Sequence, residues 1–202
     1  SMKSGILNAL FFLAAATASA GHKKVSALFI GNSYVYVNNL PLLIESIAGA
    51  GGDTLVWDVN AIGGYTLRMH STDSVTLAKI HLQQWDYVVL QEQSQLPSFE
   101  PGYVDTATIP FALFLDSVIH AGNPCARTVF FETWGRKYGD ASNCAFYPPV
   151  CTYAGMQDRL RESYKLMADT CHAIMAPVGE AFRNSIANDS TANLYKIGRA
   201  HV

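Results

Sequence analysis

Charge is scarce in this sequence. Only 15% of its 202 residues are Asp, Glu, Lys or Arg, and 14 basic against 16 acidic side chains leave a formal charge of -2. These charges are scattered, so no basic stripe is available for nucleic acid or an anionic membrane, and a small neutral or weakly charged ligand fits better. Cysteine is sparse too, with 4 residues and no CxxC, and none of the 6 histidines stands at HxH or HxxxH spacing. That composition argues against a zinc site, and no metal and no cofactor is expected. No GxGxxG or GxxxxGK[ST] pattern occurs, which weakens a nucleotide-binding reading. No apolar run reaches the ~20 residues of a membrane span.

What is present begins with an export pattern. Met2 and Lys3 lead into an apolar run over 6–16 and then Ala18-Ser19-Ala20, the charge, core and small-residue order of a signal peptide. Residues 1–20 are therefore read as a signal peptide with one extra N-terminal residue. The mature protein is expected to be secreted or periplasmic, free of the membrane once cleaved. In an exported chain four cysteines point to disulfides. Cys144 and Cys151 flank a loop containing Pro148-Pro149 and form the stronger pair; Cys125 and Cys171, each just before an expected strand, form a weaker one.

Half of the residues are hydrophobic, enough in a chain of this length for one domain with a sizeable core. Past the signal, short β-branched or apolar runs alternate with helix-length segments. Strands are expected over 25–30, 55–59, 85–90, 128–132 and 174–177, and helices over 41–50, 67–82, 111–121 and 156–170. This order implies an α/β fold, three-layer α/β/α with a central parallel sheet of about five strands, flavodoxin-like in arrangement. In such sheets ligands sit beyond the carboxyl ends of the strands. The chemistry is therefore sought in the loops over 31–39, 60–66, 91–102 and 133–149.

The first of these loops reads Gly31-Asn32-Ser33-Tyr34, with a serine at the strand-to-helix turn; alone, such a serine is most simply a helix N-cap. A nucleophilic serine also needs donors for the oxyanion it creates. Gly63-Gly64 and Gln91-Glu92-Gln93 follow the next two strands. Together with Thr133-Trp134-Gly135 and Ala176-Pro177-Val178-Gly179, these segments resemble the SGNH (GDSL-like) hydrolases, and in particular a bacterial SGNH-like family of unknown function, over about 25–195. The resemblance implies that Ser33 is the nucleophile. It implies an oxyanion hole of the Ser33 N–H, the Gly64 N–H (or that of Gly63) and a side-chain amide, from Gln93 first, with Gln91 as runner-up and Gln95 also open. Asn32, Tyr34, Gly63, Gln91 and Trp134 are expected to line the substrate site. Glu92 is read as facing solvent or orienting Gln93, the solvated reading being the simpler.

The family's late DxxH, source of the histidine base and its aspartate, does not appear after Asn193-Leu194-Tyr195. The chain ends instead in Ile197-Gly198-Arg199-Ala200-His201-Val202, which a common sequencing-adapter sequence would encode. Residues 196–202 are accordingly read as a non-native tail, and 21–195 as an SGNH-like domain lacking its last helix. The full-length parent is expected to be a secreted serine ester hydrolase, a carbohydrate O-acyl (acetyl) esterase acting on a small-molecule or glycan ester. The present chain is expected to be nearly inactive. The alternative is a non-catalytic glycan-binding module on the same fold; a DxxH beyond Tyr195 would favour the enzyme.

Overall fold

A computed structural model describes residues 22–189, 191 and 193–195; the expected signal peptide and the expected tail over 196–202 lie outside the described residues. The elements run β1 (Lys24–Gly31), α1 (Ser33–Tyr36), α2 (Leu40–Ala50), β2 (Thr54–Ala61), α3 (Leu67–His70), α4 (Ser74–Ile80), β3 (Tyr87–Leu90), α5 (Pro101–Ala107), α6 (Ile109–Gly122), β4 (Arg127–Phe131), α7 (Tyr153–Thr170), β5 (Ile174–Ala176) and α8 (Val178–Asn188). All pairings are parallel and the strand order is β2-β1-β3-β4-β5. The chain thus steps from β1 outward to β2 and returns to the other side of β1 for β3. That reversal opens a crevice at the carboxyl ends of β1 and β3.

Alternation along the strands divides the core between two faces. Leu28 and Ile30 of β1 pack with Val88, Leu90 and Phe130 against Ile80 of α4, Leu115 and Ile119 of α6 and Leu160, Tyr164 and Met167 of α7. Ala27 and Phe29 face the opposite way with Val89 and Phe131, toward Val35 of α1, Leu40 of α2 and Val178 of α8. Together α5 and α6 span 22 residues and are apolar enough to cross a membrane by length and composition. Of their apolar side chains, Val104, Ala112, Leu115 and Ile119 are buried in the protein, while Leu113 and Phe114 stay 40% and 44% exposed.

The second face is incompletely covered. A groove of about 560 Å³ runs over it between α2 and α8, floored by Phe29, Val89, Val129 and Phe131 and walled by Leu43 and Ile44. Correspondingly, α2 leaves Leu43 51% and Ile47 74% exposed.

The expected helix over 67–82 is two helices: α3 ends at His70 with Ser71 as its C-cap, and Asp73 caps α4 by accepting the Thr76 N–H. α5 and α8 have no counterpart in the sequence reading. Cys144 and Cys151 are disulfide-linked with Cα atoms 4.6 Å apart. The second expected pair is not formed. Cys125 and Cys171 do precede the neighbouring strands β4 and β5, but Cys125 is exposed while Cys171 is buried in the core against α7, where desolvation pushes its thiol up to about 12.

Candidate active site

The end of β1 is built around contacts that only glycine permits. A Cβ at Gly31 would lie 2.6 Å from Gln91 Oε1 and 2.8 Å from Val35 Cγ2. The fully buried Gln91 sits directly beneath this turn and accepts the Asn32 N–H at 2.9 Å, while its own amide nitrogen donates to the Glu92 carbonyl. Asn32 then caps α1: its Oδ1 accepts the Tyr34 N–H at 3.2 Å, and its Nδ2 donates to the Tyr65 carbonyl in the loop after β2 at 2.9 Å. Ser33, half-buried, opens α1 above this frame.

The loops after β2 and β3 are tied together by one carboxyl group. Glu92 is wholly buried, not solvated as its charge suggested, and its Oε1 accepts the Leu67 N–H at 3.0 Å and the Gln93 N–H at 2.6 Å. Desolvation pushes it up to about 7 against those two hydrogen bonds. Gly64 precedes Leu67 in the left-handed region at φ 75, with nothing within 4 Å of a Cβ built there, so backbone conformation rather than space is what favours glycine. Gln93 Oε1 accepts the backbone N–H groups of Gln95 and Leu96, and its side-chain amide nitrogen donates to Gln95 Oε1 at 3.2 Å. A primary amide carries two N–H donors, and this bond uses one.

Three consecutive strands thereby deliver Asn32, Ser33, Tyr34, Gly64 and Gln93 to a single cleft of about 130 Å³, completed by Ser94 and Arg136. The other expected site residues lie elsewhere. Gln91 is beneath the turn, and Gly63 lies beside Tyr36, whose hydroxyl would be 3.1 Å from a Cβ at that position. Trp134 belongs to an aromatic ladder, 4.7 Å from the Tyr34 ring and stacked on Phe182 at 5.1 Å, on the wall of the apolar groove. Tyr34 stands between the groove and the cleft. Burial pushes its phenol up, against a hydrogen bond from Ser94 and the charge of Arg136.

Ser94 and Arg136 escaped the sequence reading. Arg136 is held by the buried Asp140, whose Oδ1 accepts its Nη1 at 3.1 Å. Their spacing of four residues was the one signal available, and it is uninformative in a loop. Among the described residues no histidine lines the cleft. A DxxH spacing does occur earlier in the chain, at Asp169-Thr170-Cys171-His172. It spans the last residues of α7 and the turn before β5, at the opposite end of the parallel sheet from Ser33. His70 is buried behind the turn, its Nε2 2.9 Å from the Gly31 carbonyl and its Nδ1 2.7 Å from Thr76 Oγ1. Burial pushes its imidazole down. Among the described residues no group of three His, Cys, Asp or Glu side chains could hold a metal ion.

No protein-family model and no curated protein matches the chain. Solved structures do. A protein assigned as an SGNH hydrolase, from Slackia heliotrinireducens, is 24% identical over 80% of this chain and 83% of its own, with a TM-score of 0.65. A DUF4886 family protein from Bacteroides uniformis is 16% identical over 80% of this chain and 70% of its own, with a TM-score of 0.66. A variant of an acetyl-xylooligosaccharide esterase from Geobacillus stearothermophilus is 13% identical over 83% of this chain and 82% of its own, with a TM-score of 0.50. The chain therefore has the fold of the SGNH, GDSL-like hydrolases.

Proposed function

We propose that this chain carries the nucleophile and oxyanion hole of a secreted serine ester hydrolase that removes a small acyl group, such as acetyl, from a carbohydrate. The observation that carries the reading is the convergence of Ser33, Gly64 and Gln93, from the ends of three strands, on one cleft. Its volume of about 130 Å³ suits an acetyl-sized group rather than a long acyl chain. The esterase named among the structural neighbours supports the carbohydrate class, and the Cys144–Cys151 bond supports an oxidising compartment.

In the proposed reaction Ser33 Oγ bonds to the acyl carbon as a base takes its proton. The carbonyl oxygen becomes an oxyanion that accepts hydrogen bonds from the Ser33 N–H, the Gly64 N–H and Gln93 Nε2. Collapse breaks the bond to the sugar oxygen, which leaves with the proton, and water then releases the acyl group by the same steps. Glu92 holds the second and third of these donors in register through Leu67 and Gln93. The base comes from outside the described cleft.

Without a base in place, a serine hydrolase keeps only oxyanion stabilisation and binding, a residual ~10³–10⁴-fold over water. Hydrolysis of p-nitrophenyl acetate by the purified chain, with and without added imidazole, tests the reading beside a Ser33→Ala variant. We expect slow hydrolysis above the protein-free blank, which imidazole accelerates beyond its own reaction with the ester in the wild-type chain and not in the variant. Equal rates in both proteins under both conditions would overturn it. The cleft without a histidine would then favour the glycan-binding module.

A further inference from the structure

We propose that a second pocket, formed by Phe99, Glu100, Tyr103, Asn143, Phe146 and Tyr147, is a binding subsite for the sugar next to the one held at Ser33 in a neutral oligosaccharide. The pocket has a volume of about 320 Å³, the size of small-ligand sites. Its sugar identity rests on the function proposed above; its existence as a binding surface does not.

Four aromatic rings in one surface pocket need a reason, since packing does not supply one. Phe146 is 86% exposed and Tyr103 41% exposed, an arrangement that leaves apolar area in water. The loop presenting Phe146 and Tyr147 is nonetheless well fixed. The Cys144–Cys151 disulfide closes it, both residues donate their N–H groups to the Asn143 carbonyl at 3.0 Å, and the Asn143 and Cys144 N–H groups donate to the Asp140 carbonyl. On the facing side, Phe99 and Tyr103 are locked edge-to-face with centroids 5.3 Å apart. A loop backbone fixed in advance, and a facing pair of rings already packed together, leave less to be ordered on binding.

The chemistry of the pocket selects its ligand. A pyranose ring has an apolar face of C–H groups, which packs on an aromatic ring, and hydroxyls around its edge, which need hydrogen-bonding groups. Here Glu100 supplies acceptors, the Asn143 amide supplies both kinds, and the Tyr103 and Tyr147 phenols sit beside the rings. The lining contains a carboxylate and no cation, so a neutral glycan fits better than an anionic one. The polar fraction argues against a lipid chain.

The pocket is also coupled to the cleft. The buried Asp140 accepts Gln95 Nε2 at 2.7 Å and Arg136 Nη1 at 3.1 Å on the cleft side, and Asn143 Nδ2 at 2.7 Å on the pocket side. Gln95 in turn accepts the Gln93 amide. One carboxylate therefore fixes the relative position of the oxyanion donor and the aromatic loop, as a chain-binding enzyme requires and a monosaccharide enzyme does not.

Calorimetric titration of the purified chain with neutral tetrasaccharides of xylose, glucose, mannose and galactose tests the proposal, with the monosaccharides and an oligogalacturonate as controls. At least one neutral tetrasaccharide should bind, about tenfold or more tighter than its monosaccharide and tighter than the oligogalacturonate. Phe146→Ala, which removes an exposed ring, and Tyr103→Ala should each weaken it about tenfold without changing the thermal melt. Absence of binding by every tetrasaccharide, binding insensitive to both aromatic variants, or preference for the oligogalacturonate would overturn the proposal. None of these outcomes bears on serine-dependent hydrolysis of p-nitrophenyl acetate, so the two readings fail separately.

Discussion

A carboxyl group that no water reaches is a liability once it ionises, and Glu92 shows how the site manages this. Burial raises it to about 7 in the folded protein, above its ordinary value of 4.5. The folded state therefore holds a proton that the unfolded state releases across that interval, and folding stability falls as pH rises from about 4.5 through 7. Glu92→Gln keeps an oxygen for the Leu67 and Gln93 N–H groups and cannot ionise. Urea unfolding should show the variant more stable than wild type at pH 8, by an amount on the order of 2–3 kcal/mol. The two should become equal near pH 4.5. Glu132, pushed up to about 6 by burial, adds a slope of the same sign to both proteins and cancels from the comparison. A second residue-scale test concerns Gly64: alanine at φ 75 meets no neighbour, so its cost is backbone strain alone, about 1 kcal/mol, read as a fall in Tm. The end of the ladder decides which glutamine reaches the cleft. Gln91 still pairs with β1 through Ile30 O, so it follows Val89 to the α1 side and is covered by the turn, whereas Gln93 lies past the ladder and lines the cleft. A period of two gives both glutamines the same phase, so alternation alone does not separate them. Arg136 was not legible either, since nothing in a loop sequence announces what a buried Asp140 will hold in place.

At the scale of elements, the strands were legible because Tyr87-Val88-Val89-Leu90 and its counterparts are apolar on consecutive positions, the mark of a sheet covered on both faces. Helix limits were less so. The stretch over 67–82 carries enough apolar residues for one helix, yet Asp73 competes for the backbone at its middle. Its Oδ2 accepts the Thr76 N–H at 2.9 Å, the Thr76 hydroxyl at 2.8 Å and Asn60 Nδ2 at 2.7 Å. Burial pushes this carboxyl up, but hydrogen bonds from Thr76, Asn60 and Val75 outweigh it and hold it low. The stability it provides is thus present at neutral pH and lost in acid as the pH falls through that lowered value. Asp73→Ala removes the cap and the acceptor of the Thr76 N–H and hydroxyl, while Asn60 Nδ2 keeps its second bond, to Thr76 Oγ1 at 2.7 Å; the expected loss is about 2 kcal/mol at pH 7. Asp73→Asn, which retains a capping oxygen, should recover most of it in the same urea titration. A loss of less than about 0.5 kcal/mol in the alanine variant would mean that α4 does not depend on its cap. α5 and α8 were illegible for a related reason: each carries a glycine at its second position, Gly102 and Gly179, where a local reading sees a turn. At Gly179 the glycine is there because a Cβ would lie 2.3 Å from both Gln157 Nε2 and the Thr133 carbonyl, a tertiary constraint invisible to local propensity.

The whole molecule is asymmetric about its sheet. One face is closed by α4, α6 and α7, whereas the other leaves a groove of about 560 Å³ lined by Phe29, Val89, Val129 and Phe131 between α2 and α8. An open groove with so apolar a lining has a direct consequence for the folded chain. The dye 1-anilinonaphthalene-8-sulfonate should bind at neutral pH with strong enhancement of its fluorescence. A loosely packed state would do the same, so the near-UV circular dichroism of the chain's 3 tryptophans must be measured alongside; a structured spectrum together with dye binding locates the effect in a native groove. Leu43→Glu places a carboxylate in the groove wall from a side chain already 51% exposed, so it should remove most of the dye signal while shifting Tm by no more than a few degrees. Dye binding that survives this substitution would place the apolar surface elsewhere. If the dye binds only where the near-UV spectrum has collapsed, the sheet face is closed in the native protein, and the exposure of α2 is then the feature that has to be explained.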